Sequence, residues 1–285
     1  MMWIEDLRQT CRDRLIGNEI FFFSEIDSTN REAHDRARGG AREGTGAREG
    51  TVILADFQSR GKGRRGRSWE SPPGANLYLS IILRPPICSS HAPQITLLAG
   101  VAAARALSGV SGLECLVKWP NDIFLRGKKL AGILAEMEGE GSKVRFVILG
   151  IGVNVNWRRE DFPADLGVTA TSLHAESGKE ISRAAAAAGL FRELEKEYTA
   201  FLREGFSARL REEWNRLSWI NGKQVTLSSP EGTLSGQALG LDTDGALLLL
   251  DGEGKTRRFI AGDVSLRRMD NDENGTQINT DEHRF

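Results

Sequence analysis

Cysteine is scarce in this chain. Only three occur among 285 residues, and Cys11, Cys88 and Cys115 lie far apart. Their number is odd and their spacing fits no zinc pattern, so neither a disulfide framework nor a cysteine-rich zinc site is expected. Net charge is nearly absent: 38 Lys and Arg face 39 Asp and Glu, leaving −1. A domain that binds nucleic acid non-specifically is usually clearly basic, so any anion site here must be local. No run reaches the roughly 18 apolar residues of a membrane helix. The opening stretch MMWIEDLRQTCRDRLIG mixes acids with bases and has no apolar core, so it does not read as a signal peptide. These absences point to a cytoplasmic, reducing setting. What is present is ordinary for a globular protein, 40% hydrophobic and 27% charged residues. The length suffices for one large domain, or a large one with a small one.

The periodicity predicts an α+β chain. NEIFFFSEI reads as a strand, and a helix follows with Thr29 as N-cap and Glu32 completing a capping box. GAREGTGAREGT, residues 40–51, is a hexapeptide written twice and reads as a solvated loop. TVILADFQ is a buried strand, and ANLYLSIIL places Leu77, Leu79 and Ile81 on one face. A helix runs through APQITLLAGVAAARALSG, with Gly109 past its end. LECLVKW is a strand stopped by Pro120, and DIFLRGKKLAGILAEMEG is a hairpin turning at residues 126–128. KVRFVILGIGVNVN is its long partner strand. A helix from Ser182 buries Leu190, Leu194 and Phe201, and SARLREEWNRL is a second one. Near Trp219 the pattern changes to short, closely spaced strands with glycine turns, the signature of a small barrel of SH3-like size. The division is residues 1–218, residues 219–268 and an acidic, disordered tail over residues 269–285.

The segment RGKGRRGRSW sets a puzzle. Gly61, Gly63 and Gly66 spell the start of a dinucleotide fingerprint after a strand. That motif needs a helix whose N-terminus faces the pyrophosphate. Pro72 and Pro73 block one, and no acid stands near residues 84–87 to hold a ribose. The plain alternative is a solvated basic loop. Yet Arg60 to Arg67 carries five cations in eight residues and no acid. Such a loop is expected to stay loose until an anion condenses it, with backbone N–H groups and guanidinium forks gripping phosphate.

The loop has company. DSTN at Asp27–Asn30, GKGRRGRSWESPPGANLYLS, KWPNDI at Lys118–Ile123, KKLAGILAE at Lys128–Glu136 and LGIGVNVN at Leu149–Asn156 occur in this order. In this the chain resembles the bacterial biotin–protein ligases, over about residues 18–267. The resemblance implies a class II synthetase-like mixed-sheet catalytic domain with an SH3-like C-terminal barrel. Some relatives carry an N-terminal DNA-binding module that represses transcription. Here the catalytic pattern begins by about residue 18, so no such module and no DNA partner are expected. Lys62 stands where many relatives have Arg, which keeps the charge but loses the bidentate fork.

The implied reaction has two steps. Biotin and ATP form biotinyl-5′-AMP, and a lysine of a biotin carboxyl carrier protein then takes the biotin. The first step joins two anions, which a fixed cation must offset. Lys129 holds the position of the family's active-site lysine, with Arg64 beside it as the second catalytic cation. Period-2 alternation places Lys129 with Ala131, Ile133 and Ala135 and turns Lys128 away. Ser28, Thr29, Asn30 and Gln58 are neutral polar groups suited to the ureido ring. Trp69 would stack on the bicyclic ring. Gly61, Lys62, Gly63 and Arg64 would line the carboxylate and phosphate region, with Arg67 near. Gly132, Gly150 and Gly152 would let backbone approach the ligand. Asn121 and Asp122 fall near the nucleotide, through Mg²⁺, and Asn154 on the phosphate side. No protein-only metal cage is visible. The resemblance allows a homodimer and implies no membrane partner. Two rivals remain at this point: a lipoate–protein ligase, and a nucleic-acid-binding module using the basic loop and the barrel.

Overall fold

The computed structural model describes residues 2–39, 47–229 and 232–266. Most of the doubled GAREGT segment and the whole acidic tail lie outside the described residues. The chain runs α1 (Met2–Cys11), β1 (Ile20–Phe23), α2 (Thr29–Gly39), β2 (Val52–Ala55) and β3 (Leu77–Leu83). It continues with α3 (Ala92–Ser111), β4 (Cys115–Lys118), β5 (Asp122–Leu125), β6 (Lys128–Glu140) and β7 (Lys143–Val153). Then come α4 (Ala164–Thr169), α5 (Leu173–Ser177), α6 (Arg183–Glu204) and α7 (Ala208–Leu217). The last strands are β8 (Gln224–Ser229), β9 (Gly232–Leu241), β10 (Leu247–Asp251), β11 (Thr256–Phe259) and β12 (Asp263–Leu266).

Seven strands form one mixed sheet in the order β1-β2-β3-β7-β6-β5-β4. Only β1 and β2 pair in parallel, because the helix α2 carries the chain back to the start of the sheet between them. The remaining pairs are antiparallel. At the β5–β6 turn Arg126 and Gly127 both take positive φ, 50° and 79°, as a two-residue turn matched to strand twist requires. The sheet is covered on both faces, so β3 is buried at all seven positions rather than alternating. Leu79, Ile81, Leu149 and Ile151 share a core with Leu98, Leu190 and Phe191 from α3 and α6. On the other face α2 lays Ala33 and Ala37 on Ile53, Ile82, Phe146 and Ile148. This second cluster fills only part of its face. Beyond it the strands change to Ser80, Gly150, Gly152 and Gly132, and that end holds the site.

Two local expectations are corrected. The capping box does not form: the Ser28 carbonyl accepts the Glu32 N–H at 3.2 Å, and the Glu32 carboxylate takes Arg36 at 2.6 Å. The Thr29 hydroxyl is engaged elsewhere, by Gln58 and Ser80. Helix α3 continues through Gly109 and ends at Gly112, which takes the left-handed conformation at φ 71°. The segment Ser89–Ser111 is also long and apolar enough to pass for a membrane span by length and composition. Burial of 67% of its most apolar stretch makes it the central helix of the fold instead. Helix α6 starts as expected, with the Ser182 hydroxyl accepting the Ala185 N–H.

Helices α3, α6 and α7 are joined by charge as well as by apolar contact. Glu197 has 0% exposure and is held by Arg105 at 2.6 Å and Arg209 at 2.7 Å. Removing both arginines would strand a buried charge, which costs more than the pairing contributes. Next to it Arg216 and Arg105 hold the Glu213 carboxyl down at about 2. The C-terminal strands form a five-stranded antiparallel sheet, β11-β10-β9-β8-β12. It is anchored to the first sheet where the Trp219 N–H donates to the Val117 carbonyl at 2.8 Å and the Trp219 ring lies 4.6 Å from Phe124.

Candidate active site

The floor of the site follows from strand register. Asp122, Gly132, Gly152 and Tyr78 lie in one row across β5, β6, β7 and β3. Leu134, Gly150 and Ser80 form the next row. Two glycines abreast leave a strip without side chains, and Trp69 fills it. A Cβ on Gly152 would stand 2.5 Å from Trp69 Cε2, and one on Gly132 would stand 3.0 Å from Cζ3. Gly150 serves Asn30 in the same way, at 2.1 Å from its Oδ1. The strand glycines therefore admit two protein side chains, and all three also line the cavity.

Lys129 reaches this floor by a device that alternation hides. The β5–β6 register slips between Ile123 and Phe124: Ile123 opposes Ala131, while Phe124 opposes Lys129. Leu130 is the extra residue of a bulge, and it restarts the alternation. Lys129 thus shares a side with Gly132, not with Ala131, Ile133 and Ala135 as strict period-2 spacing implies. Its Nζ lies 3.0 Å from Asp122 Oδ1 and 5.5 Å from the Trp69 ring centre. Its carbonyl is clamped by the Thr171 N–H at 2.9 Å. Lys128 turns away and donates to the Gly167 carbonyl at 2.8 Å.

The polar wall lies at the N-terminal end of α2. Ser28, Thr29 and Asn30 are buried. The Thr29 N–H donates to Gln58 Oε1 at 2.8 Å, and the Thr29 hydroxyl lies 3.1 Å from the same oxygen. Gln58 Nε2 donates to the Ser71 hydroxyl, which donates to the Trp69 carbonyl. The expected quartet therefore comes together, through contacts that also fix Trp69.

The basic loop is tighter than its sequence predicts. Gly63 N–H donates to the Arg67 carbonyl at 2.7 Å, and Trp69 N–H to the Gly61 carbonyl at 3.0 Å. One 3₁₀ turn, Arg64–Gly66, makes the tip, with Arg65 at φ 55°. The condensing anion is already present, supplied by the C-terminal sheet. Asp263 lies 2.7 Å from Arg65, 3.5 Å from Arg67 and 3.6 Å from Arg64. Arg64 also donates to Asn121 Oδ1 at 2.9 Å. Burial pushes the Arg64 pKa down, against the pull of Asp263 and Asp122. Exposed ion pairs contribute little singly, but three on one carboxylate together amount to about 1–2 kcal/mol, or roughly 5- to 30-fold in an open–closed ratio. Asp263→Asn is therefore expected to speed trypsin cleavage at Arg60–Arg67 of the free protein by that order. Unchanged cleavage would show that the loop is held by its backbone alone.

Most of the expected residues line one cavity: Ser28, Thr29, Asn30, Gln58, Lys62, Gly63, Arg64, Arg67, Trp69, Asn121, Asp122, Lys129, Gly132, Gly150 and Gly152. Gly61 stands outside it, shaping the loop: a Cβ there would meet the Trp69 carbonyl at 2.5 Å. Asn154 does not reach the cavity. It is buried and donates to the Thr171 carbonyl at 3.0 Å, in the strand-to-helix connection. Sequence reasoning missed Ser80, Glu136 and Asp263. Ser80 was visible as the one polar residue inside LYLSIIL, whereas nothing in the sequence joins Asp263 to a loop some 200 positions away. A second, more apolar cavity adjoins the first through Arg64, Asn121, Ile133 and Leu134, and Trp119, Met137 and Ile260 complete its wall. Among the described residues no group of three His, Cys, Asp or Glu is placed to hold a metal.

One side of this cavity is neutral and polar; the other carries Lys62, Arg64, Arg67 and Lys129 with only Asp122 and Asp263 against them. A ligand that fits both has uncharged hydrogen-bonding groups at one end and negative charge at the other. Residues 23–154 match the biotin/lipoate A/B protein ligase family, and residues 221–267 the biotin protein ligase C-terminal domain. The bifunctional ligase/repressor BirA of Bacillus spizizenii is 37% identical over 261 residues, 92% of this chain and 78% of that one. The biotin–[acetyl-CoA-carboxylase] ligase of Mycobacterium tuberculosis is 33% identical over 90% of this chain and 94% of its own. Biotin protein ligase from Aquifex aeolicus, solved with biotin and ATP, superposes with a TM-score of 0.74 at 28% identity, covering 88% of this chain and 99% of that one. By matches that span both sheets, this chain belongs to the biotin protein ligases of the biotin/lipoate A/B protein ligase family.

Proposed function

We propose that the protein activates biotin with ATP and transfers it to a lysine of a carrier protein. The observation that carries this reading is the meeting of Thr29, Asn30 and Gln58 with Lys129, Arg64 and Arg67 in one cavity. A cyclic urea presents N–H donors and a carbonyl acceptor without charge, which matches amide and hydroxyl side chains. Trp69 and the glycine floor match its apolar bicycle. The carboxylate would point to Lys129, and the phosphates to Arg64 and Arg67. The second cavity, with Trp119, Pro120 and Ile260, suits the purine.

In the first step the biotin carboxylate attacks the α-phosphorus and pyrophosphate leaves. Lys129 and Arg64 lower the repulsion of the two anions and stabilise charge on the phosphorus oxygens. The loop then keeps water from the mixed anhydride until the carrier amine attacks its carbonyl carbon and AMP departs. The Asp122 carboxylate is held by Lys129, and among the described residues no group of three His, Cys, Asp or Glu is placed to hold a metal. The ion would enter as part of the nucleotide substrate. The cysteine thiols are free, which fits the cytoplasmic setting we infer.

ATP–pyrophosphate exchange tests the reading. It is expected with biotin and absent with lipoate, and mass spectrometry of a biotin carboxyl carrier domain should gain one biotin. Exchange driven by lipoate alone would move the chain to the other branch of its family.

A further inference from the structure

We propose that Glu136, which does not line the biotin cavity, is a positioning residue for ureido recognition: it fixes which end of the Asn30 amide donates and which accepts. The proposal rests on the biotin reading above. Asn30 is 5% exposed and lies against the backbone of Gly150, in the place a Cβ there would take. Its Nδ2 donates to Glu136 Oε2 at 2.7 Å. Its Oδ1 accepts from the Ser80 hydroxyl at 2.6 Å. Ser80 has 0% exposure and also stands 2.8 Å from Thr29 Oγ1.

The two ends of this chain have fixed polarity. Glu136 as a carboxylate only accepts. At the other end the Thr29 backbone N–H only donates, which fixes Gln58 Oε1 as its acceptor. Between them Asn30 and Ser80 are ambiguous, since an amide can flip and a hydroxyl can rotate. A flipped Asn30 would set its oxygen against the carboxylate and leave its NH₂ facing Ser80. Glu136 therefore selects one orientation, and Ser80 directs its single proton to Asn30; the Thr29 hydroxyl then turns its own proton to Ser80, while the Thr29 backbone N–H keeps Gln58 Oε1. The remaining Asn30 N–H and Oδ1 lone pair are left with a defined direction for a ligand. A cyclic urea needs that definition, because its carbonyl and N–H groups are adjacent and a reversed wall would oppose each of them.

The test uses the full chain in pyrophosphate exchange, with KM measured separately for biotin and ATP. 2-Iminobiotin, in which a donor replaces the urea carbonyl, is the second substrate. Glu136→Ala is expected to raise the biotin KM roughly tenfold or more and leave the ATP KM within about threefold. It is also expected to reduce the preference for biotin over 2-iminobiotin, because the freed amide turns to accept. Glu136→Gln keeps an accepting oxygen and is expected to recover most of the biotin KM; it also serves if the alanine variant does not fold. Equal biotin KM in Glu136→Ala and the wild type would overturn the proposal. So would parallel loss of biotin, ATP and 2-iminobiotin turnover with a lower melting temperature, which marks a merely structural role. A wild type inactive with biotin would sink the functional reading itself; an active wild type beside an unaffected variant sinks only this inference.

Discussion

Lys129→Ala is expected to lower biotin-dependent pyrophosphate exchange by roughly a thousandfold, with Lys128→Ala within about threefold of the wild type. At an effective dielectric of 20, unit charges about 4 Å apart interact by about 4 kcal/mol, and each 1.36 kcal/mol is about tenfold in rate. The ammonium is well placed to supply such a term. It is 18% exposed, lies beside Asp122 at 3.0 Å and sits on the side of Gly132. Its neighbour provides the internal control, since Lys128 also has an anchored ammonium, but on the Gly167 carbonyl away from the cavity. Losing that bond costs about 1 kcal/mol of stability and no charge at the reacting atoms. Melting temperatures of both variants separate folding from chemistry. If Lys128→Ala abolished exchange and Lys129→Ala did not, the bulge at Leu130 would be wrongly placed and the face assignment with it.

That bulge marks where sequence reading stops. The motifs identified Lys129, but alternation set it with Ala131 and Ile133, which belong to the core packed under α3. A single unpaired residue reverses the face of everything before it, and a run as apolar as LAGILA carries no sign of it. The polar wall was legible because DSTN and Gln58 hold short polar side chains at strand and helix ends. Thr29 still escaped its local role, because the tertiary partners Gln58 and Ser80 outcompete a cap. The basic loop was legible as an anion site, yet its resting anion was not. Asp263 meets Arg64, Arg65 and Arg67 only through the tertiary arrangement of the two sheets, which the Trp219–Val117 bond joins. Helix boundaries failed by smaller margins: Gly109 reads as a stop, but nothing lies within 4 Å of its Cβ position and the helix passes through.

Gly152→Ala is expected to weaken biotin binding by roughly 30- to 150-fold while leaving the fold intact. The added methyl would stand 2.5 to 2.8 Å from three atoms of the Trp69 indole, closer than carbon atoms pack. Strand β7 is paired on both sides, with β3 and β6, and has no freedom to retreat. The ring must move, and it belongs to a half-exposed loop that can give way at small cost in stability. Displacing it removes an apolar wall worth about 2–3 kcal/mol to a ligand bicycle, which converts at 1.4 kcal/mol per decade to the stated range. The displaced ring also pulls on the Trp69 carbonyl and so on Ser71 and Gln58, so the loss should appear in biotin affinity before ATP affinity. Gly109→Ala is the matched control. It adds the same methyl in open space on an exposed helix surface and should stabilise the protein by up to about 1 kcal/mol without touching biotin binding. Calorimetric titration of both variants with biotin reads the difference directly. Wild-type affinity in Gly152→Ala would mean that Trp69 leaves the glycine floor when biotin binds, and that the floor rather than the indole meets the ligand.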